Sequence, residues 1–269
     1  MLHLLALVAA AGVQPTVSTQ WLQDHLSDPQ VRVIFVGDRG GYDRAHIPGA
    51  RQLDHMDTVR MAENGHMLAS RETLVQAFTK AGAADGTHII LYGDSPMATG
   101  WVFMALTAIG HGDDVSWLDG GIALWEAQKR PVETNAPPSG RGPLTARPAP
   151  DTLVDAAWVK SHLDSPTTKV LDVRTQREWD NGHLPNATLV LWQDLFADQR
   201  TMQFKSPDEI RALLARAGVA AGQEVVTYCA VGMRASLMYW AARSVGTPAR
   251  VYVGSWQDWS RDAKNPIAK

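Results

Sequence analysis

At 269 residues the chain is long enough for two domains of ordinary size, each with its own core. Apolar residues make up 45% and charged residues 20%, the balance of a soluble globular protein, and a formal net charge of -3 argues neither for a nucleic-acid surface nor for an acidic tail. One cysteine excludes an intrachain disulfide and a cysteine-rich metal site, and the nine histidines show no His-x-x-x-His spacing, so neither metal nor cofactor is expected.

Leu2 to Gly12 form an apolar run with small residues at Ala9, Ala10 and Ala11. The run is too short to span a bilayer. It reads as the apolar stretch and cleavage zone of a leader over residues 1–14, although no Lys or Arg precedes it. A leader implies a periplasmic or secreted protein; without one the location is cytoplasmic. A first domain is expected over residues 15–130. Residues 131–150 hold Pro137, Pro138, Gly140, Gly142, Pro143, Pro148 and Pro150 and little that could pack, so they read as a semi-rigid surface connector. A second domain follows over residues 151–269.

In the second domain Trp158 to Leu163 reads as a helix and Lys169 to Val173 as a strand. Ser206 to Ala217 reads as a helix with Ser206 as N-cap, Pro207 at its first position and acids just after. Val225 to Tyr228, β-branched and aromatic without charge, is a buried strand. A helix from Ala235 to Ser244 and a strand from Arg250 to Val253 complete an alternation that argues for an α/β fold with a mostly parallel sheet flanked by helices.

The two domains are copies. Asp43 to Ala50 recurs as Asp180 to Ala187, His88 to Tyr92 as Glu224 to Tyr228, and Trp117 to Trp125 as Tyr252 to Trp259 with a one-residue gap. The openings Val17 to Leu22 and Val154 to Val159 match as well, all in the same order and about 135 residues apart, so a domain duplication explains them. Trp21, Trp125, Trp158 and Trp259 fall at repeated positions and read as core residues.

Cys229, the single cysteine, follows the strand Val225 to Tyr228 directly. A cysteine at an arbitrary position is more often a structural thiol. Here it lies at the carboxyl end of a strand, where active sites of parallel sheets form, and just before a helix. Free N–H groups and the positive helix end favour an anion at its sulfur, the nucleophilic form. Arg234 adds a fixed charge and a planar fork suited to a sulfonate or phosphate. Cysteine-dependent phosphatases pair the two residue types as Cys-x5-Arg; Cys229 and Arg234 span Cys-x4-Arg, a narrower cradle that suits a single sulfur better.

Together these residues resemble the rhodanese (thiosulfate and mercaptopyruvate sulfurtransferase) family in its tandem two-domain form. Tyr42-x-x-x-His46-Ile47-Pro48-Gly49-Ala50 fits the family's amino-terminal motif, Trp179 to Ala187 is a weaker copy, and Tyr252 to Trp259 looks like its carboxyl-terminal motif, with Asp258 where glutamate is usual. The resemblance implies two rhodanese-like domains of which only the second is catalytic, since Gly93 aligns with Cys229. It implies Cys229 as the nucleophile and persulfide carrier. Ala230, Val231, Gly232, Met233 and Arg234 form the substrate-binding loop, with Arg174 beside them, and Asp172 supports the region. Asp172 and Arg174 also read simply as a strand-end turn with a surface ion pair, and His46 and His183 read as structural. The implied reactants are a small-molecule sulfur donor and a thiol or cyanide acceptor, with a protein acceptor as a further partner. Thiosulfate is the expected donor, because the loop ends in arginine and lacks the Gly-Ser or Gly-Thr pair of mercaptopyruvate users. Mercaptopyruvate, and a carrier that only hands its persulfide to a docked protein, are the alternatives.

Overall fold

The structure, a computed structural model, describes residues 13–63, 65–135, 137 and 142–269. Most of the expected leader therefore lies outside the described residues. The first domain contains β1 (Thr16–Val17), α1 (Thr19–His25), β2 (Val31–Val36), α2 (Arg39–Arg44), β3 (Arg51–Leu53), a hairpin of β4 (Val59–Ala62) and β5 (Gly65–Leu68), α3 (Arg71–Lys80), β6 (His88–Gly93), α4 (Pro96–Ala108), β7 (Val115–Leu118) and α5 (Gly121–Ala127). The second repeats it as β8 (Leu153–Val154), α6 (Ala156–His162), β9 (Thr168–Asp172), α7 (Gln176–Asp180), β10 (Thr188–Leu189), a hairpin of β11 (Phe196–Asp198) and β12 (Gln203–Phe204), α8 (Pro207–Arg216), β13 (Glu224–Tyr228), α9 (Met233–Ser244), β14 (Ala249–Tyr252) and α10 (Ser255–Trp259).

Each domain is built on a five-stranded parallel sheet, in the order β1-β7-β6-β2-β3 in the first and β8-β14-β13-β9-β10 in the second. The orders are the same, as a duplication requires. Burial on both faces explains why the central strands β6 and β13 are near-continuous apolar runs rather than alternating ones. The local signals act as read. Ser206 caps α8 in a reciprocal box with Glu209, and Pro207 occupies the first helical position. Trp125 and Trp259 are fully buried, and Trp21 and Trp158 are half-buried against the same cores.

The domains are joined by a shared core. α4 and α9 are buried on nearly every face, from Ala98 to Thr107 and from Ala235 to Ala242, and belong to one continuous apolar cluster. Gly100 permits the approach, since a Cβ there would stand 2.8 Å from Leu237 Cα. The β11–β12 hairpin reaches across: Phe204 N–H donates to Asp119 at 2.9 Å, and the Phe204 and Trp240 rings flank Trp117 at about 5 Å. The connector packs more than its composition suggests. Leu144 is buried in the shared core, the Thr145 carbonyl accepts from His111 at 2.8 Å, and Arg147 N–H donates to Ile109 O. Among the described residues no helix is long and apolar enough to cross a membrane.

Candidate active site

Cys229 stands at the carboxyl end of β13, the central strand of the second sheet. The chain then turns within four residues. Gly232 makes the turn with φ +91, and a Cβ there would lie 2.8 Å from Val253 O, so both the dihedral and the space require glycine. The helix begins at Met233, two residues earlier than its composition suggests, which puts Met233 and Arg234 in its first turn. Gly232 N–H points at Cys229 Sγ at 3.1 Å. The sulfur is therefore faced by a backbone donor at the start of a twelve-residue helix.

The carboxyl-terminal motif grips this loop from behind. Cys229 N–H donates to Ser255 Oγ at 3.1 Å, and the Ser255 hydroxyl donates to Tyr252 O at 2.9 Å. Trp256 and Gln257 N–H donate to the carbonyls of Cys229 and Ala230 at 2.9 and 3.0 Å. Ser255 is fully buried with φ +55, a sparsely populated conformation for a non-glycine residue that the surrounding bonds hold. Its role as the partner of the Cys229 backbone was not read from the sequence, although it lies within a motif already singled out.

Asp172 and Arg174 are not a surface pair. Both are buried; Arg174 Nε donates to both Asp172 oxygens at 3.0 Å, and an Nη donates to Asp172 Oδ2 at 2.7 Å and Gly182 O at 2.8 Å. The guanidinium lies 4.6 Å from the Trp256 ring centroid and 5.6 Å from that of Tyr228. Burial opposes its charge, but Asp172 outweighs burial and its pKa is raised. Arg174 thus does not line the cleft beside Cys229 and is not placed to bind substrate there, because its fork is spent inside the domain. Asp172 also accepts from Tyr228 OH at 2.5 Å, one residue before the cysteine, and Tyr228 OH accepts from Leu184 N–H at 3.1 Å. In the first domain Phe35 holds the register place of Asp172 and Gly93 ends the central strand where Cys229 would begin its loop. His46 and His183 stack on Tyr42 and Trp179 and bond to their carbonyls, away from the thiol.

A cleft of about 590 Å³ opens between the domains at Cys229. From the second domain it is lined by Cys229, Val231, Met233 and Arg234; Ala230 is not among the lining residues. Arg234 is bound end-on to Glu178, Nη to carboxylate at 2.7 Å twice. That bond is the largest cause holding the Glu178 carboxyl down at about 2, ahead of opposing burial and of help from Thr175. The same bond raises the Arg234 pKa against burial, with Cys229 contributing in the same direction. Two of the five guanidinium donors are spent on Glu178 and three are left. Thr175-x-x-Glu178 is legible as a capping box, but its pairing with an arginine 56 residues away is not. The first domain supplies the opposite wall with Asp38, Asp54, His55, Met56, Asp94 and Met97, none of which the sequence marked.

The sequence model described as Rhodanese-like domain matches residues 18–128 and again 155–262. The chain is 30% identical to the sulfur carrier protein TtuD of Thermus thermophilus, over 94% of this chain and 96% of that one. It is 25% identical to a thiosulfate sulfurtransferase of Azotobacter vinelandii, over 91% and 94%. The crystal structure of SseA from Escherichia coli, a 3-mercaptopyruvate sulfotransferase, superposes with a TM-score of 0.80 at 24% identity, covering 91% of this chain and 99% of that one, a likeness of fold.

Proposed function

The chain belongs to the rhodanese family, and from that premise we propose that it is a sulfurtransferase that carries sulfane sulfur as a persulfide on Cys229. One observation carries the reading. The single thiol of the chain sits at a strand end in the interdomain cleft, with Gly232 N–H aimed at its sulfur at 3.1 Å.

Thiosulfate is the donor we assign. The Cys229 thiolate attacks its outer sulfur, the S–S bond of the donor breaks, sulfite leaves with the bonding pair, and a persulfide remains. A thiol or cyanide then attacks the outer sulfur of the persulfide and Cys229 departs as thiolate, a double displacement. The sulfonate meets those donors of Arg234 that Glu178 leaves free. The likeness to a sulfur carrier protein favours a second reading, in which the persulfide passes only to a docked protein.

Intact-mass spectrometry after thiosulfate, and then after cyanide, tests the cycle. The expected result is a gain of one sulfur atom on Cys229, absent in Cys229→Ala and removed by cyanide with thiocyanate formed. Loading from mercaptopyruvate but not thiosulfate changes the donor. Loading without release to cyanide favours the carrier reading, and no loading from either donor overturns the proposal.

A further inference from the structure

The wall that the first domain turns toward Cys229 is both acidic and apolar. Asp38, Asp54 and Asp94 line it beside Met56 and Met97. The three carboxylates are held in place. Asp38 caps α2, accepting from Gly41 N–H at 2.7 Å, and Asp54 accepts from Met56 N–H at 2.9 Å. Asp94 rests on Gly41, where a Cβ would stand 2.4 Å from its carboxylate oxygen, and lies close to Gly37. Burial lowers the pKa of His55, the neighbour of Asp54, and Asp54 opposes that shift. Among the described residues lining the cleft, Arg234 is the one permanent cation, and Glu178 takes two of its donors.

We infer that the first domain is the acceptor side of this site, its wall selecting a low-molecular-weight thiol that carries a positive charge and an apolar body. The inference rests on the sulfurtransferase reading of Cys229 and names the class of its second substrate. A wall lined by one sign of charge attracts the opposite sign, while the free donors of Arg234 on the facing wall are left for the sulfonate of the sulfur donor. The methionines offer adaptable apolar contact, and about 590 Å³ is room for a molecule well beyond cyanide. In the transfer the acceptor thiolate attacks the outer sulfur of the protonated persulfide. A new S–S bond forms as the bond to Cys229 breaks, Cys229 leaves as thiolate, and the product is the acceptor persulfide, with no external oxidant or reductant.

The test follows single-turnover decay of the persulfide, after intact mass has verified loading of Cys229. Three acceptors of similar size are compared: cysteamine, 2-mercaptoethanol and 3-mercaptopropionate, a cation, a neutral molecule and an anion. Each rate is divided by that of the same thiol with a small-molecule persulfide in solution. At low salt cysteamine should exceed 3-mercaptopropionate by about tenfold or more, and sodium chloride should shrink the ratio. Asp38→Asn/Asp54→Asn/Asp94→Asn should bring it close to one; asparagine keeps the two caps. Asp94→Asn alone, at a position that caps nothing, should lower the ratio in part and serves if the triple variant does not fold. A flat ratio in the unmodified enzyme, or an equal ratio in enzyme and variants, overturns the acceptor assignment and leaves the sulfurtransferase reading intact. Failure of Cys229 to load overturns both.

Discussion

Arg234 enters the cleft as half of an ion pair, which decides what it can do. Glu178 takes two of its donors at 2.7 Å and fixes the plane of the guanidinium. Arg234→Ala should raise the thiosulfate KM at least about tenfold while changing loading from a neutral donor much less; steady-state kinetics with both donors decides, and equal effects would exclude the sulfonate contact. The carboxyl of Glu178 is lowered from 4.5 to about 2 in the folded protein. Its contribution to stability is therefore complete above pH 4.5 and lost as the pH falls from there toward 2. In thermal melts the difference between the unmodified protein and Glu178→Gln should stay constant from pH 5 to 8 and shrink below pH 4.5. Ser255 acts on the backbone instead. Ser255→Ala leaves the buried Cys229 N–H without its acceptor, a loss of about 1–3 kcal/mol, and should slow persulfide loading in stopped-flow measurements because the loop is no longer held from behind.

At the scale of elements the site is a strand end, a glycine turn and a helix start. Gly232→Ala forces a side chain into the left-handed region and against Val253 O, so the loop must open. Loading should fall by orders of magnitude while circular dichroism stays near that of the unmodified protein. Behind the loop, β9 and β13 are tied by Asp172, Arg174 and Tyr228. Burial, followed by the Asp172 charge, raises the Tyr228 pKa far above the tyrosine range, so the phenol stays a donor. Asp172→Leu strands a buried guanidinium and should cost about 3–5 kcal/mol in urea unfolding, more than the pair itself contributes.

For the whole molecule the governing fact is that α4 and α9 share one core. Neither domain can keep its most apolar helix dry alone, so the two should unfold together. Calorimetry should give one transition, and the second domain produced without the first should aggregate or unfold. Two separate transitions would show that the domains are independent. The first domain, which holds no cysteine, thereby has two physical tasks: it covers α9, and it supplies the acidic wall opposite Cys229.

Much of this was legible in the chain itself. The duplication, the parallel α/β architecture, the buried strand before Cys229 and the capped start of α8 depend on local periodicity, glycine and cap chemistry, which act between neighbours in sequence. The helix start was read two residues late because the αL turn at Gly232 begins it before the composition changes. Other features required the tertiary structure. Arg174 carries the same signature as a substrate-binding arginine, and only its burial against Asp172 and Trp256 shows where its donors go. The pairing of Glu178 with Arg234, the hold of Ser255 on Cys229 and the carboxylates of Asp38, Asp54 and Asp94 join residues from 26 to 191 positions apart, by numbering from Cys229 or Arg234. No local pattern encodes such meetings, because they arise only when two sheets and the helices between them close on one cleft.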